Sequence, residues 1–94
     1  MALFVVQHKH DSAVCPAGDQ ARAAGLLQLL AGAPSAGMTI RAEAVVDGAH
    51  ELHLIADAPN AATVEQFLRP FAQMGSVTVR AASLCERVVE RGFC

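Results

Sequence analysis

What most constrains the fold of this chain is the order in which its hydrophobic period changes. Residues 2–10 are apolar and β-branched through Leu3-Phe4-Val5-Val6 and read as a strand, with Pro16-Ala17-Gly18 breaking the pattern. Ala23, Leu26, Leu27 and Leu30 then recur at i, i+3, i+4 and i+7, one stripe of a helix that Asp19 caps and Gly32 with Pro34 ends. Ile40, Ala42, Ala44 and Val46 alternate with Arg41, Glu43 and Val45, and Asp47-Gly48 marks a hairpin. The return strand runs from about His50 to Asp57. Pro59-Asn60 opens a second helix carrying Val64, Phe67, Leu68 and Phe71, which Pro70 kinks or shortens. Val77, Val79 and Ala81 alternate once more, and Ser83-Leu84-Cys85-Glu86 fits a capping box for a short final helix stopped at Gly92.

The order β-α-β-β-α-β resembles the ferredoxin-like split βαβ unit. That resemblance implies an α+β sandwich: a four-stranded antiparallel sheet in the order 4-1-3-2, with a short extra C-terminal helix. At 94 residues the chain is expected to form a single domain, 1–94, with one core and little stability to spare, so oligomerisation is a natural way to bury more area. With 53% hydrophobic and 17% charged residues it is not composed like a disordered chain. Its seven Lys and Arg are scattered, its net charge is -2, and four Phe with no Trp or Tyr make a poor stacking platform. These features exclude nucleic acid as the expected partner. No stretch approaches the roughly 20 apolar residues of a membrane span, and no basic leader precedes the first strand, so a cytoplasmic location is expected. Three Cys is an odd count, which favours free thiols or metal thiolates over a disulfide framework.

His8-Lys9-His10 ends the first strand. Alternation puts both imidazoles on one side, with Phe4 and Val6, roughly 7 Å apart along the strand. In the strand order that the resemblance implies, the end of the first strand lies beside the start of the third, which brings His53 near. A three-residue loop, Asp47-Gly48-Ala49, would pair Ala44 with Leu52 and Ala42 with Leu54 and set Glu43 opposite His53 on the helix-free face. That face would also carry Phe4, Val6, Val45 and Ile55. His8, His10 and His53 are then the expected ligands of a divalent transition metal, zinc, nickel or copper. Glu43 would accept the second ring hydrogen of His53, and Cys15 would close the shell if Asp11 to Val14 turns back. His50 reads as a hairpin-loop residue whose parity points toward the helix side. The same imidazoles also read as solvated groups at a frayed strand end, with His53 as a polar residue of a dimer interface.

Cys85, in the first turn of the final helix, is a candidate thiolate, or else a small apolar residue packed beside Val88 and Val89. Cys94 is a candidate terminal ligand. A helix would hold the two roughly 13 Å apart, too far for a disulfide.

An apolar sheet face without a covering layer resembles that of the dimeric α+β barrel superfamily, in which ferredoxin-like protomers pair through their sheets. The resemblance spans residues 2–82 and implies a homodimer. A His pair ending the first strand is also similar to small ferredoxin-like nickel-binding proteins. Three functions are therefore expected to compete: a homodimeric transition-metal-binding protein for storage, delivery or sensing; a small dimeric-barrel enzyme, an oxygenase or isomerase, with a His general base; and a non-catalytic dimerisation module.

Overall fold

The strands β1 (Ala2–His10), β2 (Thr39–Val45), β3 (Glu51–Ala58) and β4 (Gly75–Ala82) form one antiparallel sheet in the order β2-β3-β1-β4, in a computed structural model that describes residues 1–94. With the helices α1 (Gln20–Ala31), α2 (Ala61–Phe67), α3 (Arg69–Ala72) and α4 (Cys85–Arg91) the chain is an α+β fold with the expected strand order. None of these helices is long and apolar enough to cross a membrane.

Local chemistry fixes the helix ends. The Asp19 carboxylate accepts from the Ala21 and Arg22 amides at 3.0 and 3.2 Å, and Asn60 Oδ1 accepts from the Thr63 amide at 2.9 Å. Both satisfy donors that the first helical turn would otherwise leave unpaired. Pro70 occupies the first turn of α3, so the second apolar helical segment divides at Leu68 into α2 and α3. The expected capping box on α4 does not form: Leu84 takes the cap position, and Ser83 Oγ instead accepts from Arg91 Nη1 at 3.2 Å.

One face of the sheet is covered. Phe4, Val6, Leu52, Leu54, Ala56 and Ala58 pack there against Leu30 of α1, Val64 of α2, Leu68 at the junction of α2 and α3, and Phe71 of α3. This corrects the expected facing of β1. Leu3-Phe4-Val5-Val6 is apolar at both parities, so its own pattern cannot choose a side. The choice is made by β3, whose charged Glu51 and Asp57 share one parity while Leu52, Leu54, Ala56 and Ala58 share the other. The pairings Val6↔Leu54 and His8↔Leu52 carry Phe4, Val6 and His8 to the helix side with them.

A second correction concerns β2. Ile40 pairs with Ala56, but Ala42 pairs with Ile55, so Arg41 is an extra residue that bulges the strand. Beyond the bulge Glu43 pairs with Leu54, Ala44 with His53 and Val45 with Leu52, one residue away from the expected register. The hairpin is closed by the Val46 amide donating to Glu51 O at 3.0 Å, and Gly48 supplies a φ of 76° in the turn. Glu43 and Val45 therefore point to the helix side. The uncovered face carries Leu3, Val5 and Ile55 among ion pairs of Lys9 with Glu51, at 3.1 Å, and Arg41 with Asp57. It is a mixed surface, not the apolar face of Phe4, Val6, Val45 and Ile55 that the alternation suggests.

Candidate metal centre

The end of β1 builds a chain of imidazoles whose hydrogens can be assigned in sequence. His8 is buried against Phe71, ring centroids 5.0 Å apart and edge to face. Its Nδ1 lies 3.0 Å from Ser76 O. A carbonyl oxygen only accepts, so His8 Nδ1 carries the hydrogen and donates it, and in the neutral ring Nε2 keeps the lone pair. His10 Nδ1 lies 3.1 Å from that Nε2, so it donates in turn, and the lone pair of His10 falls on its own Nε2. This last nitrogen is shut off from solvent and has no hydrogen-bond partner.

The surroundings of both rings favour the neutral form. Burial pushes the His8 pKa down; the Ser76 carbonyl opposes this and the neighbouring His10 reinforces it. Burial also lowers the His10 pKa, with His50 adding to the effect and Asp11 opposing it.

Two further donors meet His10. Its backbone N–H donates to His50 O at 3.1 Å, extending the β1–β3 pairing past the strand ends and setting the two rings 5.2 Å apart. Cys15 arrives because the chain after β1 folds back through the tight turns Ser12–Val14 and Pro16–Gly18. The Val14 and Cys15 amides donate to Asp11 O and Ser12 O at 3.1 and 3.3 Å, Pro16 is buried, and Arg22 Nη2 donates to Val14 O at 3.4 Å. One ligand atom from each of His10, Cys15 and His50 lies within 4.8 Å of the others. A tetrahedral zinc ion spaces sulfur and nitrogen ligands about 3.5 Å apart, so small side-chain rotations close the set around an ion.

The membership differs from that read off the sequence. Cys15 turns back to His10, the condition on which its membership depended. His53 does not join them: it pairs with Gln7 and Ala44, so its ring lies on the uncovered face, across the sheet from His8 and His10. There its Nε2 is 3.6 Å from Glu51 Oε2. Glu43 faces away from His53 because of the Arg41 bulge. His8 stands behind His10 with both nitrogens already engaged. Cys85 and Cys94 follow β4, whose Ala82 pairs with Leu3 while its Gly75 pairs with His10, so they leave the sheet at the end opposite the cluster. Both are free and exposed.

His50 is the member of the cluster that the sequence reading set aside. Its parity, toward the helix side, was the available signal: once β1 is placed with Leu52 and Leu54 inward, His10 and His50 fall on one side of the sheet.

Beside the cluster lies a cavity of about 310 Å³, walled by His10, Cys15 and His50 and by Leu26, Leu27, Val45, Leu52 and Phe71. Comparison of the chain with known protein families, curated proteins and solved structures returns no match.

Proposed function

We propose that this chain is a transition-metal-binding protein whose ligands are His10 through Nε2, Cys15 through Sγ and one ring nitrogen of His50. The observation that carries the reading is the buried, unpartnered lone pair on His10 Nε2. A buried acceptor without a partner costs about 1–3 kcal/mol, and a bound cation removes that cost. Two imidazoles and a thiolate suit zinc, nickel or copper and suit magnesium or calcium poorly. The Ser76–His8–His10 relay does what the outer partners of metal-bound imidazoles generally do: it fixes tautomer and ring orientation.

The architecture is read as ferredoxin-like, and the uncovered sheet face as the surface through which two copies pair. Only 14 of 94 residues are buried in the single chain, which leaves Leu3, Val5 and Ile55 available for burial against a partner. Storage, delivery and sensing all fit such a site.

Elemental analysis of untagged protein, followed by titration of metal-free protein with zinc, nickel and copper, tests the proposal. One ion per chain is expected, abolished by His10→Ala and by Cys15→Ser and retained by His53→Ala. Absence of a stoichiometric ion both as purified and after titration ends it.

The same nitrogen favours a second reading. In metal-free protein His10 Nε2 is a base beside the Cys15 thiol, an arrangement that serves nucleophilic or general-base chemistry in a small enzyme. Rapid alkylation of Cys15 by iodoacetamide at neutral pH, undiminished by added zinc, selects that reading over the first.

A further inference from the structure

We infer that the fourth coordination position of the ion opens into the adjoining cavity and takes a small, largely hydrocarbon molecule through a single monoanionic head, a carboxylate or a thiolate. The inference rests on the metal reading above and goes on to name the ligand class.

The walls decide the body of the ligand. Leu26, Leu27, Val45, Leu52 and Phe71 supply the lining, and its only ionisable groups are His8, His10, His50 and Cys15; no Asp, Glu, Lys or Arg reaches it. A polyphosphate, a sugar or a zwitterion would lose its water without finding partners there. Volume sets the size. A cavity of about 150 Å³ holds benzene, so about 310 Å³ accommodates a substituted ring or a short aliphatic chain.

Charge decides the head. A divalent ion bound by one thiolate and two neutral imidazoles keeps one positive charge, which an anionic donor at the fourth position matches and a water molecule does not. A single anionic donor on the ion brings the site to neutrality. The rim is already shaped for an apolar guest: Leu27 and Val45 are each 62% exposed at the cavity mouth, large side chains left in water that a bound hydrocarbon would cover.

Cobalt-loaded protein provides the test, because its visible spectrum reports both metal occupancy and a change of fourth ligand. Phenylacetate and acetate share a head and differ in the hydrocarbon body. Phenylacetate is expected to perturb the cobalt spectrum at a concentration about tenfold or more below that needed with acetate. Leu27→Ser and Val45→Ser should remove most of that preference. Cobalt binding with equal response to the two acids overturns the inference while leaving the metal site standing. A preference that survives both substitutions also overturns it, since the hydrocarbon would then lie elsewhere. Self-association that is abolished by Leu27→Ser and Val45→Ser overturns it in favour of a second copy of the chain at the mouth. Failure to bind cobalt at all removes the metal reading and the inference together.

Discussion

His10 Nδ1 stands 3.1 Å from His8 Nε2, and this contact between two side chains of one strand face determines which nitrogen of His10 is free. Because His8 is itself oriented by Ser76 O, a backbone atom of β4, the availability of His10 Nε2 is set by the pairing of two strands. Replacing His8 with Phe keeps an aromatic ring against Phe71 and deletes the acceptor. Metal affinity is expected to fall by about 10–100-fold, as it does when the outer partner of a ligating imidazole is lost. Competition against a chromophoric chelator measures the change, with the urea midpoint as a control for folding. Unchanged affinity would show that the relay does not orient the ligand.

The lowered His8 and His10 pKa values give metal-free protein a defined acid sensitivity. An unfolded chain takes up protons on both rings below about 6.5, whereas the folded one resists doing so because burial disfavours the charged form. Stability is therefore level above that value and falls as the pH drops from it toward the folded-state values. Glu51 is held below its ordinary 4.5, chiefly by the hydrogen bond from Lys9, so its own contribution is lost only in more acidic solution. With a chelator present, the urea midpoint should be lower at about pH 5.5 than at about pH 7.5, and His8→Phe should flatten part of that slope. Equal midpoints would mean that these rings protonate in the folded chain without penalty.

Pairing of two copies through the uncovered face makes Ile55 the sensitive position. It is 40% exposed in the single chain and lies in the middle of β3, so Ile55→Glu is compatible with the protomer fold and incompatible with burying Leu3, Val5 and Ile55 against a partner. Sedimentation velocity should show a dimer for the parent protein and a monomer for the variant. A parent protein that is monomeric throughout the accessible concentration range would refute pairing by this face.

The sequence carried the element order and both polar helix caps, because each rests on a local signal: period, or a capping side chain at Asp19 or Asn60. The return of Cys15 to the end of β1 was legible only as a condition on how Asp11 to Val14 turn. The faces of β1 were not legible in β1 itself. Leu3 and Val5 are as apolar as Phe4 and Val6, and only pairing with the sharply two-sided β3 separates them. The Arg41 bulge was equally hidden, since one inserted residue leaves the alternation of Ile40, Ala42 and Ala44 intact by eye while reversing which residues look inward beyond it. From these two non-local facts follow the loss of His53 and Glu43 from the cluster and the gain of His50. The residue types of the site were visible; their partners depended on strand pairing.

Gly75 offers the sharpest separation of site geometry from general stability. It pairs with His10 across β1 and β4, and a Cβ added there would lie 1.9 Å from Lys9 O and 2.9 Å from Lys9 C. Both are backbone atoms that cannot rotate away, so Gly75→Ala must displace the end of β1 that carries His10. A destabilisation of about 1–3 kcal/mol, the usual cost of overpacking, is expected, together with weakened metal binding. Gly25→Ala is the matching control: it lies within α1, its added Cβ meets nothing within 4 Å, and removing a glycine from a helix interior is expected to stabilise by roughly 0.5–1 kcal/mol. The same added methyl should therefore move the urea midpoint in opposite directions at the two positions and lower zinc affinity at Gly75 alone. If Gly75→Ala binds zinc as tightly as the parent, the end of β1 does not hold a ligand.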